Sequence, residues 1–161
     1  MTVFVCDTSV LSYLALIDRL ALLAELFGEV TVPEAVLGEC LHPDAPEPLR
    51  SALAPSPPPF IRVQAAGPLL AETTSLDPGE VEAITLAWQH RGDCLLLMDE
   101  KRGRAIAASL GLPVRGQLGL MMEAHRRGLD DFDTLLERLK SHRFSIADAL
   151  IAPARQRLRL I

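Results

Sequence analysis

Short apolar runs that alternate with helical repeats constrain the fold of this chain more than any other feature of its sequence. The runs at residues 2–6 and 94–98 have the length of buried strands, and each is followed by an aspartate. Leucine and alanine recur at helical spacing between them, as at Leu11, Leu14 and Ala15. Strands that alternate with helices predict an α/β protein with three layers, in which a mostly parallel sheet is covered by helices on both faces.

The remaining elements follow from the same patterns. Further strands are predicted at residues 29–32, 60–63 and 112–114, and Pro33 is predicted in the first turn of a helix that ends near Cys40. Residues 42–59 contain seven of the 12 prolines, which favours a surface connection with at most one helical turn. Helices are expected from about residue 117 to the C-terminal region. The length of 161 residues fits a single domain, residues 1–161.

Composition indicates the kind of core and the cellular environment that we expect for this protein. Hydrophobic residues make up 49% of the chain and aromatic residues only 4%, so we expect a core of aliphatic side chains. No apolar run is long enough to span a bilayer, and three scattered cysteines do not resemble a disulfide framework. We therefore expect a cytoplasmic protein without a membrane partner.

Charge is distributed unevenly along the chain, although the net charge is -5. Residues 1–100 contain four Lys or Arg and 15 Asp or Glu, whereas residues 101–161 contain 12 and six. This asymmetry is typical of a carboxylate site beside a phosphate-binding surface, and it is equally typical of solvated helix faces.

Two carboxylates directly follow the two clearest strands. Open parallel sheets bind their ligands outside the carboxyl ends of their strands. Asp7 follows residues 2–6 and Asp99 follows residues 94–98. Each also fits a helix N-cap, which taken singly is the simpler interpretation.

Two glutamates complete a candidate set. Glu80 lies in the helix start Asp77-Pro78-Gly79-Glu80, where a capping box also explains it. Glu39 lies near the end of a helix, where the helix dipole disfavours a negative charge, and Glu34 competes for the same role. If Asp7, Glu39, Glu80 and Asp99 converge, their oxygen atoms predict a site for Mg²⁺ or Mn²⁺ that hydrolyses phosphodiesters.

These motifs, in this order, resemble the PIN-domain family. The resemblance is carried by Asp7-Thr8-Ser9 after an apolar strand, Pro33-Glu34 through Glu39, Leu76 through Glu80, and Leu96-Leu97-Met98-Asp99. It is strongest to the small prokaryotic branch related to VapC-type toxins. The resemblance implies a metal-dependent endoribonuclease with Asp7, Glu39, Glu80 and Asp99 as its catalytic metal site and Ser9 as a polar contact. It also implies an RNA substrate, a homodimer and an antitoxin partner. Asp148 lies in a segment similar to a motif of other branches, but we interpret it as a surface residue.

The basic residues that follow Asp99 are the best candidates for contacts to RNA phosphates, namely Lys101, Arg102 and Arg104. Two other functions remain open. A phosphotransfer domain with Asp7 as the phosphoacceptor would use a similar sheet. A non-catalytic module that binds protein or RNA would keep the fold without the metal.

Overall fold

The computed structural model describes residues 1–73 and 75–160. Within these residues, five parallel strands form a single sheet in the order β3-β2-β1-β4-β5. The strands are β1 (Val3–Cys6), β2 (Val30–Pro33), β3 (Ile61–Gln64), β4 (Cys94–Leu97) and β5 (Val114–Arg115). The predicted α/β fold with a parallel sheet between two helical layers is confirmed.

Helices cover both faces of the sheet. In the described ranges they are α1 (Thr8–Leu16), α2 (Leu22–Phe27), α3 (Glu34–Leu41), α4 (Glu47–Leu53), α5 (Pro78–Gln89), α6 (Lys101–Ser109), α7 (Gln117–Arg126), α8 (Phe132–Lys140) and α9 (Asp148–Arg157), with a 3₁₀ turn at Ala71–Thr73. None of the helices in this part of the chain is long and apolar enough to cross a membrane.

Two apolar cores lie on opposite faces because side chains alternate along each strand. Cys6 and Leu97 belong to the larger core, which includes residues of α1, α2, α3, α4, α7 and α8. Val5 and Leu96 belong to the smaller core, which includes residues of α5 and α6. The sheet is therefore buried on both sides, as its continuous apolar strands predict.

The helix predicted from Pro33 to about Cys40 is present as α3, but Pro33 lies one residue before it, at the N-cap position. Pro33 is the last residue of β2, where it pairs with Gln64 of β3, and α3 begins at Glu34. Its backbone is extended, with φ -62° and ψ 154°. A proline is tolerated at the end of a strand because it loses little of the ladder there, so the apolar run of β2 extends through it.

The proline-rich segment contains more structure than the single turn expected. Helix α4 covers seven of its residues, and Leu49 and Leu53 of this helix are each only 1% exposed. These two leucines belong to the larger core and thereby anchor the segment. The spacing of four residues brings both side chains to one face of the helix.

Candidate active site

A cavity of about 350 Å³ lies at the carboxyl end of β1. Three of the four predicted carboxylates, Asp7, Glu39 and Glu80, line it together. The other lining residues are Thr8, Ser9, Ser12, Tyr13, Asp77 and Glu100. The cavity is therefore rich in acidic groups, as the sequence motifs predict.

Asp7 is the most deeply buried of these carboxylates. It is 3% exposed, and its Oδ2 accepts a hydrogen bond of 3.3 Å from the Ser9 hydroxyl. Its Oδ1 is buried and has no hydrogen-bond partner among the residues that the structure describes. Burial, with a smaller contribution from the charge of Glu39, raises the pKa of Asp7 to about 6. Asp7 is the N-cap residue of α1, although its side chain makes no capping hydrogen bond within the usual geometry, and the nearby N–H groups of Thr8 and Ser9 oppose the rise of its pKa.

Glu80 lies in the first turn of α5 and is 8% exposed. Its Oε2 is buried and accepts no hydrogen bond from the described residues. Burial is the main cause that raises the pKa of Glu80 to about 7, and the charges of Asp7, Glu100 and Asp77 add to it. Asp77 is the N-cap residue of α5, but its side chain makes no capping bond. Glu80 therefore holds a carboxylate in an environment that favours the protonated form.

Glu39 has both carboxylate oxygens occupied by donors of the protein. Thr8 donates its hydroxyl to Oε1 at 2.6 Å, and the backbone N–H of Gly79 donates to Oε2 at 3.0 Å. Gly79 is in the first turn of α5, where the positive end of the helix dipole favours a negative charge. This contact compensates for the position of Glu39 near the end of α3. The competing candidate, Glu34, is exposed and does not line the cavity.

Asp99 lies beside this cavity and is connected to Asp7 through Ser9. The Ser9 hydroxyl donates to Asp7 and accepts a hydrogen bond of 3.1 Å from the backbone N–H of Asp99. Cys6 pairs with Leu97 in the sheet, so the residues after both strands meet at one edge. The Ser9 hydroxyl, which also lines the cavity, therefore links the residues that follow the two strands.

The carboxylate of Asp99 does not cap α6. Glu100 is the N-cap residue, and its side chain accepts a hydrogen bond from the backbone N–H of Arg102. Asp99 Oδ1 instead accepts a hydrogen bond of 3.0 Å from the backbone N–H of Gln117, the first residue of α7. Burial raises the pKa of Asp99, although the Gln117 hydrogen bond and the nearby Arg104 oppose the increase.

The three predicted RNA-binding cations are divided between two surfaces. Lys101 and Arg104 line a groove of about 560 Å³ that also includes Asp99, and the Arg104 Nη1 atom is 3.9 Å from Asp99 Oδ1. Arg102 lines a separate cavity of about 170 Å³ with Asp77, Glu80 and Glu100. Asp148 is exposed at the start of α9, in agreement with its interpretation as a surface residue.

Three glycines pack against three of the four carboxylates, a relationship that the sequence analysis missed. A Cβ atom on Gly79 would come within 2.8 Å of Glu39 Oε2, one on Gly103 within 2.8 Å of Glu80 Oε2, and one on Gly116 within 2.7 Å of Asp99 Oδ1. Only Gly79 lies in a motif that the sequence analysis singled out. These contacts join residues that are distant in sequence, so the spacing of the residues along the chain does not predict them.

The carboxylates share one region of the protein without forming a ready-made metal cage. No group of three or more His, Cys, Asp or Glu in residues 1–73 and 75–160 is close enough together to hold a metal ion as it stands. The donor set nevertheless fits a hard divalent cation, because it consists of carboxylate oxygens and two of them, Asp7 Oδ1 and Glu80 Oε2, are buried without donors.

A family model described as a PIN domain matches residues 3–159 of the chain. No curated protein is significantly similar to the chain. No solved structure is significantly similar to it either.

Proposed function

Because the chain belongs to the PIN-domain family, we propose that it is a metal-dependent endoribonuclease that hydrolyses RNA phosphodiester bonds. PIN domains are commonly nucleases and generally use divalent metal ions. The observation that carries the proposal is the pair of buried carboxylate oxygens without donors, Asp7 Oδ1 and Glu80 Oε2, beside one acidic cavity. Buried polar atoms without partners are rare in folded proteins, and those at functional sites are often completed by a ligand.

The residues that would hold Mg²⁺ or Mn²⁺ are Asp7, Glu39, Glu80 and Asp99. Asp7 and Glu80 have oxygens free for an ion, whereas both oxygens of Glu39 already accept hydrogen bonds. Crowded carboxylates raise one another's pKa, and a cation relieves that repulsion. When bound, such an ion activates water for attack and stabilises the negative charge that develops on the phosphate.

The chain's own residues contribute orientation. Ser9 ties the Asp7 side chain to the Asp99 backbone, and Thr8 holds Glu39 beside the first turn of α5. Arg104 lies next to Asp99 and can neutralise a phosphate oxygen that approaches this carboxylate. Groups that are already aligned need no reorganisation during the reaction, which favours catalysis.

The test is cleavage of a labelled structured RNA in Mn²⁺ or Mg²⁺, compared with a chelator. We expect Asp7→Asn, Asp99→Asn and Glu80→Gln each to abolish cleavage while the protein remains folded, because each removes the charge of a metal ligand. Glu34→Gln and Asp148→Asn remove charge from exposed carboxylates and serve as matched controls that retain activity. Cleavage by Asp7→Asn at a rate near that of the original protein would contradict the proposal.

The same proteins separate this function from the two others that the sequence leaves open. A phosphotransfer domain would become labelled at Asp7 by a small-molecule phosphate donor, and Asp7→Asn would abolish the label. A non-catalytic module would cleave no RNA, and calorimetry with Mn²⁺ would show no binding that depends on Asp7 and Asp99.

The resemblance to VapC-type toxins extends the proposal to a cytoplasmic, homodimeric toxin that an antitoxin protein holds inactive. Expression of the chain alone should then arrest growth, and Asp7→Asn should remove the arrest. A short neighbouring gene with a DNA-binding N-terminal region, whose product restores growth when expressed together with this chain, would support this extension. Growth arrest that persists in Asp7→Asn would contradict it.

A further inference from the structure

The groove beside Asp99 is a second surface with a distinct chemistry. Its walls are formed by the start of α6, by β5 and α7, and by the segment from Phe144 through α9. We call it the basic groove, because four cations line it and Asp99 is the one carboxylate among its described lining residues. The cations are Lys101, Arg104, Arg115 and Arg157.

Within residues 1–73 and 75–160, two of these cations are not held in a salt bridge, although Arg115 interacts at longer range with Glu123. Neither Arg115 nor Arg157 forms a salt bridge with another described residue, although the chain as a whole is acidic. The stem of Arg115 packs against Gly119, so its position is fixed by the surface of α7. Cations gathered in one groove attract a polyanion.

The groove also has an apolar lining, which a phosphate chain alone would not require. Leu118, Met122, Ile146 and Leu150 line it, and the Leu150 residue is 55% exposed. Single strands present both phosphates and unpaired bases, and bases pack on apolar and aromatic side chains. A duplex keeps its bases stacked inside and would leave this lining without a partner.

The basic groove lies beside the acidic cavity. Phe144 lines the groove and Tyr13 lines the cavity, and their rings are in edge-to-face contact with centroids 4.9 Å apart. Asp99 lies in the groove, and Ser9 connects it to Asp7 in the cavity. A strand bound in the groove would therefore contact Asp99 and lie next to the other carboxylates.

We propose that the basic groove binds the single-stranded flank of the RNA next to the cleaved bond, with Arg115 and Arg157 as phosphate contacts that lie far from Asp99 in sequence. This inference rests on the proposed nuclease function for the identity of its ligand. It assigns α9 a role in substrate binding, and it excludes Arg102 from this surface because Arg102 lines a different cavity.

The test measures binding of a fluorescent single-stranded RNA in the presence of a chelator, so that hydrolysis cannot occur. We expect Arg115→Ala and Arg157→Ala each to weaken binding several-fold and to lower the magnitude of the slope of log affinity against log salt by roughly 0.7. Arg115→Lys and Arg157→Lys should retain most of the slope because they keep the charge. The same strand annealed to its complement should bind more weakly.

The matched control is Arg62→Ala. Arg62 is exposed on β3 and lines a cavity near Met1 and His90, away from the basic groove. It should leave both affinity and slope unchanged. Arg102→Ala should behave like this control. Thermal melting of every variant shows whether it is folded, and a photoreactive 4-thiouridine in the strand should crosslink to α7 or to residues 144–157 in the unaltered protein.

The possible outcomes distinguish the proposal that the basic groove binds RNA from the proposed nuclease function. Unchanged binding in Arg115→Ala and Arg157→Ala, an equal loss in Arg62→Ala, or crosslinks elsewhere on the chain would overturn the inference. The same would follow if the duplex bound as tightly, or if the groove proved to bind a peptide but no RNA. Cleavage that depends on Asp7 would still support the proposed function in each case. Binding through the groove without cleavage in Mn²⁺ would support the inference and contradict the nuclease function.

Discussion

The backbone of Gly103 in α6 lies directly against the carboxylate of Glu80 in α5. A Cβ atom at position 103 would come within 2.8 Å of Glu80 Oε2 and within 2.5 Å of the sulfur of Met98. Both neighbours are buried, Met98 completely, so an added methyl group would force one of these two side chains to shift. Gly103 therefore fixes the position of a candidate metal ligand that is 23 residues before it in the chain.

We expect Gly103→Ala to impair metal binding and cleavage more than it impairs folding. Overpacking typically costs about 1–3 kcal/mol, whereas alanine in a helix gains about 1 kcal/mol over glycine. The net loss in the free energy of unfolding should thus be at most about 2 kcal/mol, while Glu80 is displaced. Denaturation and Mn²⁺ titration measure the two effects.

Gly38→Ala is the matched control for this substitution. Gly38 lies in α3 with nothing within 4 Å of the added atom, so this variant should gain stability and keep its activity. If Gly103→Ala were as stable and as active as Gly38→Ala, the contact between Gly103 and Glu80 would not be needed for activity.

A second prediction concerns Thr8, whose hydroxyl donates to Glu39. We expect Thr8→Val to destabilise the protein by roughly 1.5–3 kcal/mol, the range for hydrogen bonds to charged groups, and to reduce cleavage. Thr8→Ser keeps the donor and should preserve both properties. The measurements are urea denaturation and RNA cleavage in Mn²⁺. Equal activity of the valine and serine variants would show that Thr8 does not position Glu39.

A third prediction concerns the pH dependence of metal binding. The pKa of Asp7 is about 6 and that of Glu80 is about 7, so both carboxyl groups become protonated as the pH falls from 8 to 5. A divalent cation must displace these protons, and we expect the affinity for Mn²⁺ to fall by at least about tenfold over this interval. Isothermal titration calorimetry at a series of pH values measures it. A constant affinity from pH 8 to pH 5 would contradict the assignment of both residues as ligands.

The fourth prediction concerns stability without metal. The pKa of Asp7 is raised from 3.8 to about 6 in the folded protein, so the folded state binds the proton more tightly. This contribution to stability is fully present below the pKa of the unfolded chain and is lost as the pH rises through about 6. Asp7→Asn has no such titration. We expect it to be more stable than the original protein by roughly 1–3 kcal/mol at pH 8, and the two to converge near pH 3.5.

Urea denaturation in the presence of a chelator, at both pH values, checks this expectation. Asp148→Asn, at an exposed carboxylate, is the control and should change stability little at either pH. Lower stability of Asp7→Asn at pH 8 would indicate that the Asp7 charge is already compensated within the folded protein.

Most of the architecture could be predicted from the sequence, because each strand and helix has its own local pattern of apolar and polar residues. The strands at 2–6 and 94–98 appear within one residue of their predicted ends, since alternation of apolar runs with cap and turn residues is a local property. Pro33 lies one residue before the helix in which it was predicted, because the same residue fits a helix start and a strand end. Only its pairing with Gln64 decides between them, and pairing is not local.

The candidate site could likewise be predicted only where the signal is local. The residue types at Asp7, Glu80 and Asp99 were visible as carboxylates at element ends. The partners that hold them were not, because the contacts of Asp99 with Gln117 and of Glu39 with Gly79 cross the sheet edge between distant segments. Arg115 and Arg157 were likewise indistinguishable in sequence from ordinary solvated cations, and only the folded groove brings them together.

The order of the strands determines when the site forms during synthesis of the chain. β1 needs β4 beside it to bring Asp7 and Asp99 to one edge, and Asp99 is held by the backbone N–H of Gln117. Until Gln117 has emerged from the ribosome, the nascent chain therefore lacks the complete site, even though Asp7 emerged among its first residues. The observed arrangement of Asp7 and Asp99 can therefore form only after most of the chain has been synthesised.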